Sequence, residues 1–393
     1  MLLEKLTLHR FRSYHDTDLT FPSAGAYITG LNGSGKTNLL EAIFFLANLS
    51  SFRTSNREEL RNWDAAQGIV KATVADRRLE RQSELAVQLA AGARRLWLNG
   101  KETRDTRQFA SRFTAVAFHP GTLQVIRGGP AGRRYFIDRG IGSLHPGFMR
   151  LGQDFQHILK QRNSLLRSSA DSDALAVWTE RFITVAIQLM RARWQHAEFL
   201  NRILSTELLQ DLGSDIGALS LDYRPAILAK CSTQQYERLL PTNGTDAPLH
   251  EHFLAEAQRL QHAEAAMGQT LFGPQRDDIA IQFCGRESRG YASQGQQRLV
   301  VFLLVAALAI GIQQQRGHRP VMLLDDIVSE LDARNREIIF TFLKTHAFQT
   351  FITATEERQR FDDLDSLAHF QVQRLNGQTT LRNDTPYAAS CAY

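Results

Sequence analysis

Apolar and polar positions along the 393-residue chain fall into three regimes. In the first third, short apolar stretches alternate with polar residues, the two-residue period of half-buried strands. That pattern predicts strands near Leu2–Leu8, Ala26–Ile28, Leu85–Leu89 and Leu96–Leu98, and a helix over Asn38–Leu49. Asn99-Gly100, after the last of these strands, is a type I′ hairpin dipeptide. From about Gly152 to Leu212 the spacing becomes helical, and Trp178 and Trp194 read as packing residues there. "PTNGTDAP" (Pro241–Pro248) reads as a linker, followed by a helix over about Glu251–Gly268. The last third returns to mixed structure. It holds a loop and strand in "LFGPQRDDIAIQF", a long apolar helix behind Ser293, a strand "VMLLDD" after Pro320, and another strand at Phe351–Thr355. The tail from about residue 384 reads as disordered. No internal repeat or sustained heptad is present, which argues against a long coiled coil.

Composition narrows the class. Hydrophobic residues make up 43% and charged residues 22%, an ordinary balance for a globular chain with a sizeable core and two or three domains. Cys231, Cys284 and Cys391 have neither metal nor disulfide spacing, as expected in a reducing cytoplasm. The N-terminus lacks a continuous apolar run of the secretory kind, and Leu299–Ile310 is shorter than the roughly 20 residues a bilayer span needs. A cytoplasmic chain with no membrane partner is expected. The net charge of +5 is unevenly spread: Arg94–Arg139 holds ten basic and three acidic residues, whereas Arg139–Thr270 holds 13 and 14. A positive stretch of this kind attracts phosphate backbones, or it is a solvated face.

The chemistry concentrates in three segments. "GLNGSGKT" (Gly30, Leu31, Asn32, Gly33, Ser34, Gly35, Lys36, Thr37) follows a strand and opens a helix, the context of a phosphate-binding loop. Its glycines let backbone N–H groups close on phosphates, Lys36 can reach the β- and γ-phosphates of ATP, and the Thr37 hydroxyl can ligate Mg²⁺. "VMLLDD" ends a buried strand in Asp325 and Asp326. Asp325 is placed to partner Mg²⁺, and Asp326 to orient or deprotonate a water. The catalytic set is therefore Lys36, Asp325 and Asp326, with Thr37 and Asp325 on the metal. "SQGQQ" begins with Ser293 and has Gln296 three residues on, a capping box in front of a buried helix. Such a helix start attracts anions.

The order of these segments, with "SELD" (Ser329–Asp332) behind them, resembles that of ABC-type ATPases. The resemblance implies that Ser293, Gly295 and Gln296 cap a nucleotide bound by a partner subunit. "FRSY" (Phe11–Tyr14), "FHPGTLQVIRGGPAGRRYFID" (Phe118–Asp138), "LKQRN" (Leu159–Asn163) and "GPQRDD" (Gly273–Asp278) narrow it. Together they resemble the RecF family of bacterial recombination and repair ATPases over nearly the whole chain. Arg12 reads as a nucleotide contact or a surface arginine, and Arg133 and Arg134 as residues that position either DNA or a loop.

The resemblance implies an α/β fold: an ABC-type (SMC-like) ATPase head with an inserted helical second lobe. The head would comprise residues 1–138 and 271–393, and the helical arm 139–270. It further implies ATP and Mg²⁺ as cofactors, an ATP-dependent homodimer with slow, DNA-stimulated hydrolysis, and binding at single-strand/double-strand DNA junctions. RecR, RecO and RecA would be partners, in gap repair and the SOS response. Three features depart from the pattern. Gly121-Thr122 stands where an acidic residue is usual, Phe351–Thr355 carries no switch histidine, and Asp326 replaces the glutamate of transporters, whose longer side chain would hold water more closely. Alternatives are another SMC-like repair ATPase, though the insert of about 130 residues has no heptads, and an ATP-gated DNA clamp without turnover. A transporter ATPase is disfavoured by the basic stretch.

Overall fold

The computed structural model describes residues 1–145, 147–168, 172–208, 212, 217–240, 245–327, 331–355, 366–375 and 378–383. The predicted tail, part of the predicted linker, and Ser329 and Glu330 lie outside the described residues.

The chain opens with strands β1 (Leu2–Phe11), β2 (Tyr14–Thr20) and β3 (Gly25–Thr29), then helix α1 (Lys36–Asn48). Strands β4 (Gln67–Asp76), β5 (Arg81–Ala90), β6 (Ala93–Leu98), β7 (Lys101–Thr103) and β8 (Ala115–Phe118) follow. Asn99 and Gly100 both take positive φ (52° and 77°) between β6 and β7, as a type I′ turn requires. The middle of the chain forms helices α2 (Pro130–Leu144), α3 (Phe148–Arg167) and α4 (Ser172–Ile203), strand β9 (Leu219–Arg224), helix α5 (Ala247–Met267), and strands β10 (Asp278–Phe283) and β11 (Arg286–Glu287). The remainder is helix α6 (Gln294–Arg316), β12 (Val321–Asp325), α7 (Ala333–His346), β13 (Thr350–Ala354), β14 (Ala368–Leu375) and β15 (Gln378–Asn383).

Two compact units result: Met1–Leu123 with Ser293–Tyr393, and Gln124–Ala292. The sequence had put the joins at 138/139 and 270/271. The second unit instead takes in α2 and β10, because β10 pairs antiparallel with β9 and β11 rather than with the flanking strands. That unit therefore carries a three-stranded sheet and is not purely helical.

The first unit holds two six-stranded sheets, ordered β2-β1-β4-β5-β6-β7 and β15-β14-β3-β13-β12-β8. The first is antiparallel and alternates along β4, where Val70, Ala72 and Val74 are buried. In the second, β14, β3, β13, β12 and β8 run parallel. Strands buried on both faces read as unbroken apolar runs, and all five residues of both β12 and β13 are buried. Helix α1 contacts strands of both sheets, which explains why Leu39–Ala47 is buried all round. Helix α6 is long and apolar enough to cross a membrane by length and composition, but 83% of its most apolar window is buried inside the fold. It is a core helix, longer than the Leu299–Ile310 run.

In the second unit, α3 and α5 are tied by a buried ion pair. Arg162 donates to both Glu264 oxygens (3.1 and 2.7 Å), to Thr270 Oγ1 (2.8 Å) and to Thr179 Oγ1 (3.0 Å). Asn163 accepts from the Thr270 amide at 2.7 Å. The "LKQRN" segment is thus a clasp for the loop behind α5. Removing one partner of such a pair leaves the other charge buried alone. Glu264→Ala is expected to cost about 3–5 kcal/mol of stability, read as a lowered urea midpoint. A loss below about 1 kcal/mol would show that Arg162 re-solvates without strain.

Candidate functional site

The parallel strands end along one edge, where loops of an open α/β sheet gather ligands. After β3 the chain passes Gly30 (φ 153°) and Gly33 (φ 78°) and enters α1 from Gly35 (φ 114°). A Cβ on Gly35 would lie 2.7 Å from Thr379 Oγ1 and 3.0 Å from Ser13 Oγ, so both backbone angle and space require glycine. Leu31, Asn32 and Gly33 are exposed, Leu31 by 80%. The Lys36 ammonium bends back onto the loop, donating to the Gly30 and Leu31 carbonyls at 2.6 and 2.9 Å. One of its three protons remains free of the loop. Burial lowers the Lys36 pKa, while Asp326 and Asp325 pull it back up. Inside the loop the buried Ser34 hydroxyl has no hydrogen-bond partner among the described residues. A positive-φ glycine loop, an orphaned hydroxyl and an ammonium with one proton to spare fit a polyphosphate.

Asp325 faces this loop from the end of β12. Its two oxygens accept from Thr37 Oγ1 at 3.0 Å each, and Oδ1 also accepts from Thr353 Oγ1 at 2.7 Å. Thr353 is fully buried on β13, which lies between β3 and β12. Its hydroxyl also accepts from the Asp326 amide at 2.9 Å. The Asp326 carbonyl accepts from Arg298 at 2.9 Å, and Asp326 itself takes a left-handed φ of 52°. Both acids thus sit at one strand end, with Asp326 turned out of the strand by its backbone. A hydroxyl and a carboxylate side by side are hard oxygen ligands of the kind Mg²⁺ takes. Sequence reading missed Thr353 and Arg298, whose signal is only their spacing from Asp325 in space.

The glycine loop is braced from behind. Tyr14 donates to the Gly35 carbonyl (3.0 Å), and Thr379 on β15 donates to the Ser34 carbonyl (2.9 Å) and is hydrogen-bonded to the Ser13 hydroxyl (2.7 Å). Arg12 forks onto the fully buried Glu41 of α1 at 2.9 and 2.8 Å, and Ser51 and Arg53 reach the same carboxylate. Arg12 is therefore committed to an internal pair and is not a surface arginine. Arg133 is likewise 5% exposed and forks onto Asp278 (2.7 and 3.0 Å), while Arg134 donates to the Asp277 carbonyl. Of the two readings, a DNA contact or a pair that positions a loop, these internal bonds favour the second. Trp178 is half-buried beneath Arg181.

Ser293 is exposed and caps its own helix: its hydroxyl accepts from the Gln296 amide (3.3 Å), and the Gln296 side chain accepts from the Ser293 amide (2.9 Å). Among the described residues, neither these two nor Gly295 hydrogen-bonds to the glycine loop. Asp332, last of the "SELD" segment, caps α7.

The RecF/RecN/SMC N terminal domain model matches residues 2–377. A DNA replication and repair protein RecF of Halalkalibacterium halodurans is 32% identical over 95% of this chain and 96% of its own length. This chain belongs to the RecF family. A solved structure of the recombination mediator protein RecF-ATP in the RecFOR pathway superposes with a TM-score of 0.81 at 26% identity, covering 97% of both chains. An Smc head bound to the C-winged helix domain of ScpA shares the fold, with a TM-score of 0.56 at 16% identity over 99% of both chains. The RecF and SMC head ABC-ATPase fold accounts for the paired sheets around α1 and the glycine-loop edge.

Burial raises the Asp325 carboxyl above its ordinary value of 3.8, and the Thr353 and Thr37 hydroxyls lower it part of the way back. A raised folded pKa means that the folded state holds the proton longer. Stability therefore falls as pH rises from 3.8 through the raised value. Above that window, Asp325→Asn removes a penalised charge and is expected to melt higher than the parent. The difference should shrink toward pH ~4. Thermal scans at about pH 4 and about pH 7.5 check this, and a variant melting lower than the parent at the higher pH contradicts it.

Proposed function

We propose that the chain is an ATP-dependent DNA-binding protein of recombinational repair and replication-fork maintenance. It acts in the cytoplasm at single-strand/double-strand junctions. The observation that carries this reading is the Thr37 hydroxyl set 3.0 Å from both oxygens of Asp325, directly beside the Lys36 loop. In this reading Gly30–Thr37 cradles the triphosphate of ATP, and Lys36 turns its remaining proton to the β- and γ-phosphates. Thr37 and Asp325 hold Mg²⁺, which when bound draws electron density from the terminal phosphate. Asp326, its backbone tied at both N–H and carbonyl, aligns the attacking water and takes its proton. The family likeness to RecF-ATP supports the nucleotide.

Dimerisation follows from the exposed helix start. The Ser293 hydroxyl spends a lone pair on the Gln296 amide and keeps its proton to donate. The Gln294 and Gly295 amides precede the first intrahelical acceptors. Together with the helix dipole, worth about 0.3–1 kcal/mol, they cap the nucleotide of a second copy, beside the exposed Leu31. RecO, RecR and RecA are the pathway partners, in gap repair and the SOS response. Exposed Arg95, Lys101, Arg104 and Arg107 around β6 and β7 are cations open to the DNA backbone.

Lys36→Ala is expected to weaken ATP binding by at least about 100-fold. Ser293→Arg should retain ATP binding yet abolish the ATP-dependent dimer, measured by light scattering with ATP and a gapped duplex. A dimer that survives Ser293→Arg removes the trans role. Asp326→Glu is expected to raise the hydrolysis rate, because its longer side chain reaches the water more closely; an unchanged or lower rate refutes that account.

A further inference from the structure

The opposite edge of the parallel sheet, where the strands begin, carries a second concavity. A cavity of about 690 Å³ opens beside the starts of β3 and β13, the end of α6, and the turn after β4. Among the described residues, Arg77, Arg78, Arg319, Lys344 and His318 line it, with Asp76 as the only carboxylate. An adjoining hollow of about 270 Å³ shares Arg78, His318 and Asp76 and adds Arg81, Arg112 and Arg316.

Among the described residues, the arginines here are not paired from within. Asp76 accepts from the amides of Arg78 (3.1 Å) and Leu79 (3.4 Å), so its carboxylate serves the turn. Among the described residues, none of Arg77, Arg78, Arg81, Arg112, Arg316 and Arg319 forms an ion pair. Their bonds are sparse: Arg316 to Thr114 Oγ1 and Arg319 to the Ala347 carbonyl, both at 3.3 Å. The Arg112 Nε is buried and has no hydrogen-bond partner among the described residues. Burial holds Arg316 below its usual pKa and pushes His318 down to about 4. Arg78 is also pre-aimed: Gly317 closes α6 at φ 69°, and a Cβ there would sit 2.3 Å from the Arg78 guanidinium. The bare helix end lets that side chain lie across the negative end of α6.

Arginine forks match phosphate oxygens two at a time, and six arginines around linked hollows call for a compact, multiply charged anion. The larger volume is of the size that takes a small molecule. We propose that this cavity binds a diphosphate-bearing small molecule, at a site separate from the glycine loop. Apolar Leu343, Phe348 and Leu367 line the same cavity and suit the organic part of such a ligand.

The test uses the full chain carrying Lys36→Ala, so that the glycine loop no longer competes. Inorganic pyrophosphate, ADP and citrate are titrated separately. The Met1 methyl signal, from a residue lining both hollows, is followed by NMR. Pyrophosphate and ADP are expected to shift that signal, and Arg78→Ala with Arg319→Ala should weaken both at least about tenfold. Both arginines lie at the surface turns, and an unchanged melting temperature certifies the fold of the variant. No Met1 shift with pyrophosphate, a shift insensitive to the two replacements, or a shift with citrate alone would overturn the proposal.

Discussion

The Asp325 carboxylate, gripped by hydroxyls from both sides, is the constraint on which the site depends. Strand β13 separates β3 from β12, so the glycine loop and Asp325 start two strand spacings apart, about 10 Å. Thr37, in the first turn of α1, closes that gap from one side, and Thr353 fills it from beneath. Without the two hydroxyls a carboxylate this buried would favour its protonated form. Thr353 does double duty, because it also anchors the Asp326 amide and so sets where the second acid points.

The glycine loop is braced from outside itself. Ser13, Tyr14 and Thr379 reach it from the antiparallel sheet and from the last hairpin, across sequence separations as large as 345 residues. The Arg12–Glu41 fork fixes α1 against the turn between β1 and β2. Each bond is worth about 1 kcal/mol on its own, and together they hold the Ser34–Gly35 end of the loop. The "FRSY" segment is therefore a brace for the loop's back wall: Phe11 packs in the core, and the next three residues each bond to α1, its loop or Thr379.

Arginines illustrate why charge counts mislead. Arg133, Arg134, Arg162 and Arg193 are absorbed by carboxylates and carbonyls of their own unit. A basic stretch in the chain becomes a basic surface only where the fold leaves the guanidinium in water. By contrast, the cations around the cavity beneath the sheet come from β4–β5, α6 and α7, segments far apart in sequence. Their clustering depends wholly on tertiary structure.

From the residues alone, the glycine loop, the acid-ended strand and the capped buried helix were legible, because each is a local pattern whose chemistry lies within about a dozen residues. The type I′ turn at Asn99-Gly100 was legible for the same reason. The antiparallel strands between α1 and β8 were only partly visible, and β14 and β15 were not seen, since several of their buried positions carry small or polar residues, such as Gly68 and Ala72 in β4, Ala368 in β14 and Thr379 in β15. The assignment of β10 to the head failed because strand pairing is a non-local choice: β10 found β9, more than 50 residues earlier. Thr353, Glu41 and Thr379 carried no signal in the chain, as a hydroxyl or carboxylate becomes part of a site only through what folding sets beside it. Sequence determined which groups bear the chemistry. Tertiary structure decided which of them meet, because hydrogen bonds and ion pairs act over about 3 Å, a distance no linear pattern encodes between remote residues.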